Sequence, residues 1–232
     1  MSSGGQSCFS ARQVCAARFA LLTPTGAPDT GAGNGYVTNL VSLVTSPQVA
    51  EGDKFIQKDG CGDICARFLD CDKVEGVDAT VNICTLDPIL VALVTGGQTF
   101  QVPGATGDVF GMKLPSLADG CPQPVCLEWW TYAQDGSVQA TPTVAPGGAV
   151  WHHVIPFLQF RLGDVTYENG IPILPLIGKG SENANITSNG PFNDWPLGVT
   201  FTDGIDSPYG YWLEGAIPAV ACAAIAVTSS AS

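Results

Sequence analysis

Two histidines stand side by side, His152 and His153, in an apolar run from Val150 to Leu162, and they are the only histidines in 232 residues. Successive side chains on a strand point to opposite faces, so the pair is poorly placed to share a metal or a substrate. A core or interface position suits each ring better. Carboxylates come close together at Asp70 with Asp72 and at Asp203 with Asp206, both in turn-rich sequence where acidic groups are ordinarily solvated. Nine cysteines are present: Cys8, Cys15, Cys61, Cys65, Cys71, Cys84, Cys121, Cys126 and Cys222. The spacings Cys61-x3-Cys65-x5-Cys71 and Cys121-x4-Cys126 lack the close pairs of zinc ribbons and fingers. Reduced, buried thiols acting as small hydrophobes are the expectation, with disulfides formed after release from a cell as the next reading and at least one cysteine left unpaired.

The sequence holds no Gly-x-Ser-x-Gly elbow, no His-Glu-x-x-His pair, no Walker loop and no calcium-loop pattern. Gly31, Gly33 and Gly35 imitate a dinucleotide-binding turn, but no helix pattern follows. The stretch from Thr23 to Gly35 therefore reads as a long, exposed, glycine-rich loop. Asn185-Ile186-Thr187 has the form of a glycosylation acceptor, which counts for little here. The opening, Met1 to Ser7, has neither the cationic start nor the apolar segment of a secretory signal, so a cytosolic chain is expected. Trp129, Trp130, Trp151 and Trp195, with acidic neighbours, would suit an all-β carbohydrate-binding or hydrolytic protein. No carboxylates stand at a spacing that supports that reading, and burial is the commoner use of such rings. No catalytic, cofactor-binding or metal-binding residue is assigned, and the expectation is a non-enzyme that needs no cofactor.

The elements that carry these residues are mostly strands. With 28 glycines, 17 prolines, 45% hydrophobic and only 13% charged residues, the composition favours strands joined by turns over helices and excludes a disordered chain. Strands are expected at Val14–Leu22, Tyr36–Thr45, Val125–Ala133, Val150–Leu162, Val199–Thr202 and Tyr211–Ala223. The clearest lies at Val77–Ile83, where Val77, Ala79, Val81 and Ile83 alternate with Asp78, Thr80 and Asn82. One short helix follows, capped by Asp87, opened by Pro88 and stopped at Gly96–Gly97, with Leu86, Ile89, Leu90 and Leu93 on its apolar face. Within Trp151–Arg161 both alternating sets are apolar, Val154, Leu158 and Phe160 on one side and Trp151, Ile155 and Phe157 on the other. Such a strand wants cover on both sides, from a second layer or from another subunit. The longest apolar stretch, Ala216 to Val227, contains Pro218 and falls short of the roughly 20 residues that span a bilayer, so no membrane anchor is expected.

The formal net charge is −12, and it is uneven: residues 1–115 hold seven Lys/Arg against eleven Asp/Glu, whereas residues 116–232 hold two against ten. Scattered cations cannot grip a phosphate backbone, so the relation to nucleic acid is repulsive.

The segment Glu51 to Gly97 carries, in order, Lys58 to Cys65 (KDGCGDIC), Asp70 to Lys73 (DCDK), the alternating strand, and Leu86-Asp87-Pro88 at the head of the helix. It resembles the central region of major tail proteins from long-tailed phages of actinobacteria, as does the opening from Cys8 to Pro28. The resemblance spans roughly the first half of the chain. It implies a tail-tube subunit in which residues 1–232 form a single tail-tube domain, a β-sandwich or partial barrel flanked by one short helix. Arms are expected at about residues 1–15 and 215–232. Six copies would close into a ring, and rings would stack into a conduit for the genome. The implied partners are further copies of itself, the tape measure protein, and the tail terminator and distal tail proteins, with DNA passing transiently. The implied place is the virion tail, assembled in the host bacterial cytoplasm; a capsid decoration protein is the alternative of the same class. A lumen lined by carboxylates would let DNA slide, and Asp78, on the polar face of its strand, is a candidate for it. Pro24–Tyr36 is expected to be the loop that stacks one ring on the next.

Overall fold

Alternation in sequence becomes layers in space. The computed structural model describes residues 9–83, 87–102, 109–116, 121–135, 150–165, 174–186, 190–195, 207–214 and 222–228. Its strands are β1 (Phe9–Leu21), β2 (Gly31–Thr38), β3 (Leu40–Ala50), β4 (Lys54–Lys58), β5 (Ile64–Leu69), β6 (Lys73–Ile83), β7 (Gln98–Gln101), β8 (Val109–Lys113), β9 (Val125–Asp135), β10 (Val150–Leu162), β11 (Leu174–Ser181), β12 (Gly210–Glu214) and β13 (Ala223–Val227). One helix, α1 (Pro88–Thr95), stands between β6 and β7. The fold is mainly β and sandwich-like.

The main sheet runs β13-β2-β1-β9-β10-β11-β6-β3, with β12 added to β10, and its neighbours pair antiparallel. Only Asn39 separates β2 from β3, yet β2 lies second on this path and β3 last. One residue can join such distant positions only if the sheet folds over and brings its two ends together. Among the described residues it does so without closing into a barrel. The main core fills the fold, with Phe19 from β1, Val81 from β6, Leu127 from β9 and Ile155 from β10 all buried there.

The helix is local chemistry confirmed by tertiary packing. Asp87 is extended at φ −91° and ψ 113°, its Oδ1 accepts the Ile89 N–H at 2.8 Å, and Gly96 closes the helix at φ 71°. The Asp87 Oδ2 also accepts the hydroxyl of Tyr36 on β2, so a single carboxylate caps the helix and ties it to the sheet. Burial, and then Asp87, push the Tyr36 hydroxyl above its ordinary pKa. Eight residues would be marginal alone. Burial of Leu90, Val91 and Val94 supplies the rest, at about 1.5 to 3 kcal/mol for each side chain. This face is turned from the expected one. Ile89 and Leu93 are only partly buried, because an all-apolar helix carries no stripe to fix its rotation.

Three further expectations meet the structure differently. The Thr23–Gly35 segment is no long exposed loop: it ends at Thr30, and Gly31–Gly35 lie in β2 between β1 and β13. What remains is a tight turn, with Gly26 at φ 91°, pinned by Asn183. The Nδ2 of Asn183 donates to the Gly26 carbonyl at 2.7 Å and the Pro156 carbonyl at 3.1 Å. Strand Tyr36–Thr45 is two strands that part at Asn39. In β10 the sides of the strand exchange beyond Ile155. An extra residue at Pro156 shifts the register, so that Ile155, Leu158 and Phe160 share the main core while Val154 and Phe157 face a second cluster with Ile186 and Trp195. Both faces of β10 are thus covered by the chain itself.

Residues 9–15 of the expected first arm enter β1 and pair with β9 from Phe9 opposite Asp135, and residues 223–227 of the second form β13 on β2. Strand Val199–Thr202 lies outside the described residues, as do residues 215–221 of the expected Tyr211–Ala223 strand; its ends belong to β12 and β13.

Removal of the shared carboxylate by Asp87→Ala is expected to cost about 2 to 3 kcal/mol in urea denaturation, since both a helix cap and the Tyr36 partner are lost. Tyr36→Phe, which keeps the cap, is expected to cost about 1 kcal/mol.

Candidate functional site

Two features depart from what a packed core requires: an exposed limb and a largely buried chain of charges. The limb begins where β11 stops supporting β6. Strand β11 pairs with β6 from Val77 onward, so β3 and β6 continue beyond it as a two-stranded ribbon. They lead into the hairpin β4–β5, paired from Lys54 opposite Leu69 to Lys58 opposite Ile64. Every residue from Asp53 to Glu75 is exposed. The hairpin is nevertheless apolar, with Phe55 55%, Phe68 59%, Ile64 57% and Ile56 46% exposed.

Directly opposite residues share a face, so Phe55 and Phe68 lie on one side, while Lys54, Ile56, Lys58, Ile64, Arg67 and Leu69 lie on the other. Strands β4 and β5 hold three cations and no acid, in a chain of net charge −12. Asp59 shapes the tip by accepting the Cys61 and Asp63 N–H groups, and Asp72 accepts the Gly52 N–H at the base. A smaller ribbon, β7–β8, repeats the theme with Phe100 stacked on Phe110 at 6.0 Å, both exposed.

The charge chain lies on the outer face of β1, β9 and β10. Arg18 on β1 faces Glu128 on β9 by register, and its Nε lies 2.5 Å from the Glu128 Oε2. The other guanidinium nitrogens form a fork on Asp194 at 2.6 and 2.9 Å. Glu128 is wholly buried, and its Oε1 accepts the indole N–H of Trp195. Burial alone would pull the Arg18 guanidinium down, but Glu128 and Asp194 outweigh it and the net direction is up.

Next in line is His152 on β10, 1% exposed, stacked on Trp130 at 4.3 Å and in tilted contact with Trp212 at 4.2 Å. Its Nδ1 lies 2.9 Å from the Glu214 Oε1. Glu214, on β12, also accepts the indole N–H groups of Trp212 at 2.6 Å and Trp130 at 3.2 Å. Burial works to raise the Glu214 carboxyl, but the hydrogen bond and charge of His152 and the two indole donors prevail and hold it below its ordinary value.

The two histidines do point apart. His153 stacks on Trp129 at 5.1 Å on the opposite face, and burial, then His152, bring its pKa down to about 4. Trp129, Trp130 and Trp195 are buried, so they offer no face to a sugar; Trp151 keeps part of its surface and makes an edge contact with Tyr211. The cysteine expectation is overturned in part. Cys126 is buried, but Cys61, Cys65, Cys71, Cys121 and Cys222 are exposed, three of them because the limb that carries them has nothing packed on it among the described residues. Asp70 and Asp72 sit at the base of the limb, and Asp203 and Asp206 lie outside the described residues. Asp78 keeps part of its surface, accepts a hydrogen bond from Gln48, and lies opposite Lys179 of β11. The Asn185 amide donates to the Thr25 carbonyl at 2.6 Å.

Sequence reasoning missed both features. A cation in β1 and an acid in β9, each inside an apolar strand, were the available signal for the charge chain. Among the described residues no group of three or more His, Cys, Asp or Glu side chains is placed to hold a metal ion, and no helix is long and apolar enough to cross a membrane. No protein-family model matches the chain, and no curated protein matches it either.

Arg18→Met strands the Glu128 charge and is expected to cost about 3 to 5 kcal/mol in chemical denaturation; the double variant Arg18→Met/Glu128→Leu is expected to recover part of that loss. Glu214 sets an acid limb. A carboxyl lowered in the folded state contributes stability that is present above its unfolded pKa, about 4.3, and is lost as the pH falls through the folded value. Stability measured against pH is therefore expected to fall more steeply in acid for the parent than for Glu214→Gln.

Proposed function

We propose that the chain is a structural, self-assembling subunit of the tail-tube kind, with six copies closing into a ring and rings stacking into a conduit through which DNA passes. The limb carries this reading. A two-stranded hairpin is marginal in water by itself, and here both of its faces hold large apolar side chains. Such a surface is stable when another chain lies on it. A second copy is the fitting occupant on charge, because β4 and β5 carry Lys54, Lys58 and Arg67 without an acid while the chain as a whole is strongly acidic.

The open ends of the folded sheet support the same reading. Strands β13 and β3 each have one paired side among the described residues, and such edges call for pairing or protection. In this reading the limb, rather than the pinned turn at residues 23–30, makes the contact between rings. Its polar turn, Asp59 to Asp63, would reach past the apolar hairpin to the neighbouring ring. The acidic excess suits a bore that does not hold phosphate. Asp78 opposite Lys179 would present a balanced pair there rather than an unmatched cation. Work with the tape measure, terminator and distal tail proteins, and a place in the virion tail, belong to the same proposal.

Purified protein is expected to form rings or tubes in electron micrographs. Phe55→Ser/Phe68→Ser is expected to keep the circular dichroism and melting behaviour of the parent, because exposed substitutions change stability by about 0.5 kcal/mol or less, and to lose the assemblies. A parent that stays monomeric in light scattering at every concentration and salt tested would overturn the proposal.

A further inference from the structure

Two aromatic patches stand open on the same chain, and they differ in how they are held. The limb projects from the sandwich, and its register puts Phe55, Gln57, Ala66 and Phe68 on one face with no charge among them. The ribbon β7–β8 is anchored. Its inner face turns Met112 onto the main core, and α1 packs against β8. Its outer face carries Gln98 and Phe100 on β7 opposite Lys113 and Gly111 on β8. Phe110 is the extra residue of a register shift, and its ring stacks on Phe100 at 6.0 Å, beside a glycine that has no side chain to cover the pair. Phe110 is 66% and Phe100 44% exposed, and Val102 and Leu114, next to the strand ends, are exposed as well. Residues 98–102 and 109–116 hold one charge, Lys113, and no acid.

We propose that the limb of one copy seats its Phe55–Phe68 face on the Phe100–Phe110 ribbon of a neighbouring copy. The inference rests on the assembly reading above and names the surface that receives the limb. Within one copy the two patches do not cover each other, because all four rings are exposed. Every chain carries one of each, so a head-to-tail contact covers both patches on the copies inside an assembly, whereas a limb-on-limb contact leaves the ribbon bare. Charge favours a second copy at this place. A chain of net charge −12 repels its own kind, and these patches let two copies meet without setting acid against acid. Charge also selects the face. The other side of the limb holds Lys54, Lys58 and Arg67, which would be set against Lys113, while the Phe55 face brings no cation to it. Aromatic rings without charged neighbours are the composition found at the centre of protein interfaces.

A photo-reactive benzophenone carried in place of the Phe68 ring tests the contact. Isotope-labelled and unlabelled chains are mixed, concentrated until assemblies form and irradiated, and the cross-linked peptides are identified by mass spectrometry. The expected product joins position 68 of one copy to the β7–β8 ribbon of another, and the reciprocal label at position 110 is expected to return to β4 or β5. In the unlabelled chain, Phe110→Ser is expected to keep the circular dichroism of the parent and to raise the concentration at which assemblies appear about tenfold or more. Assemblies whose cross-links run from limb to limb, to another surface or only within one chain would overturn the inference and leave the assembly reading standing, as would a Phe110→Ser protein that assembles at the parental concentration. A parent that stays monomeric would overturn both. Should the label itself block assembly, Phe110→Ser decides.

Discussion

A carboxylate cannot be taken from water into a β-sandwich without a partner, and Glu128 is wholly buried in the middle of this one. Its partner, Arg18, comes from the neighbouring strand by register, and Arg18 in turn holds Asp194 through a fork. That pair decides what can lie on the outer face of β1, β9 and β10. Trp195 packs where its N–H reaches Glu128, and Trp130 lies where the guanidinium stacks at 5.1 Å. Small residues at Ala16 and Ala20 leave the room. The outer face is therefore a second, polar-lined core, and the segments that cover it are positioned by directional bonds as well as by apolar contact.

Much of the β architecture was legible because its signals are local. The alternation of Val77 to Ile83 needs no partner to be read, and neither do the Asp87 cap, Pro88 and Gly96. What failed was what depends on distant parts of the chain. The Pro156 bulge reverses the sides of β10 because an extra residue is absorbed against β9, and nothing within β10 alone announces it. Gly31 to Gly35 look like loop by composition, but a Cβ placed on Gly35 would lie 3.0 Å from side-chain carbons of Ile225 and Phe192, so the missing side chain makes room for close packing. The charge chain was harder still. Arg18 and Glu128 were each visible as a charge in an apolar strand, yet only the sheet register joins them.

The limb and the sandwich obey opposite rules. Within the sandwich Ile155, Leu158 and Phe160 on one face of β10, and Val154 and Phe157 on the other, found cover from the same chain, the first of the two sources that the sequence left open. On the limb the apolar groups Phe55, Ile56, Ile64, Phe68 and Leu69 remain exposed. Hydrophobicity alone did not tell the two apart. Strand β10 lies at the centre of the sheet, while β4 and β5 pair only with each other among the described residues.

The separation of Arg18 from Glu128 by 110 positions also sets a clock during synthesis. Strand β1 can pair early with β2, which follows it closely, but its other edge and its buried cation wait for β9. At roughly 5 to 20 residues per second, that wait is on the order of 5 to 20 seconds on the ribosome. In this interval a strand with alanines, Phe19 and an unmatched Arg18 remains open to pairing with other nascent chains. A polysome making many copies at once would raise that hazard, and a chaperone that shields β1 until Glu128 emerges would lower it.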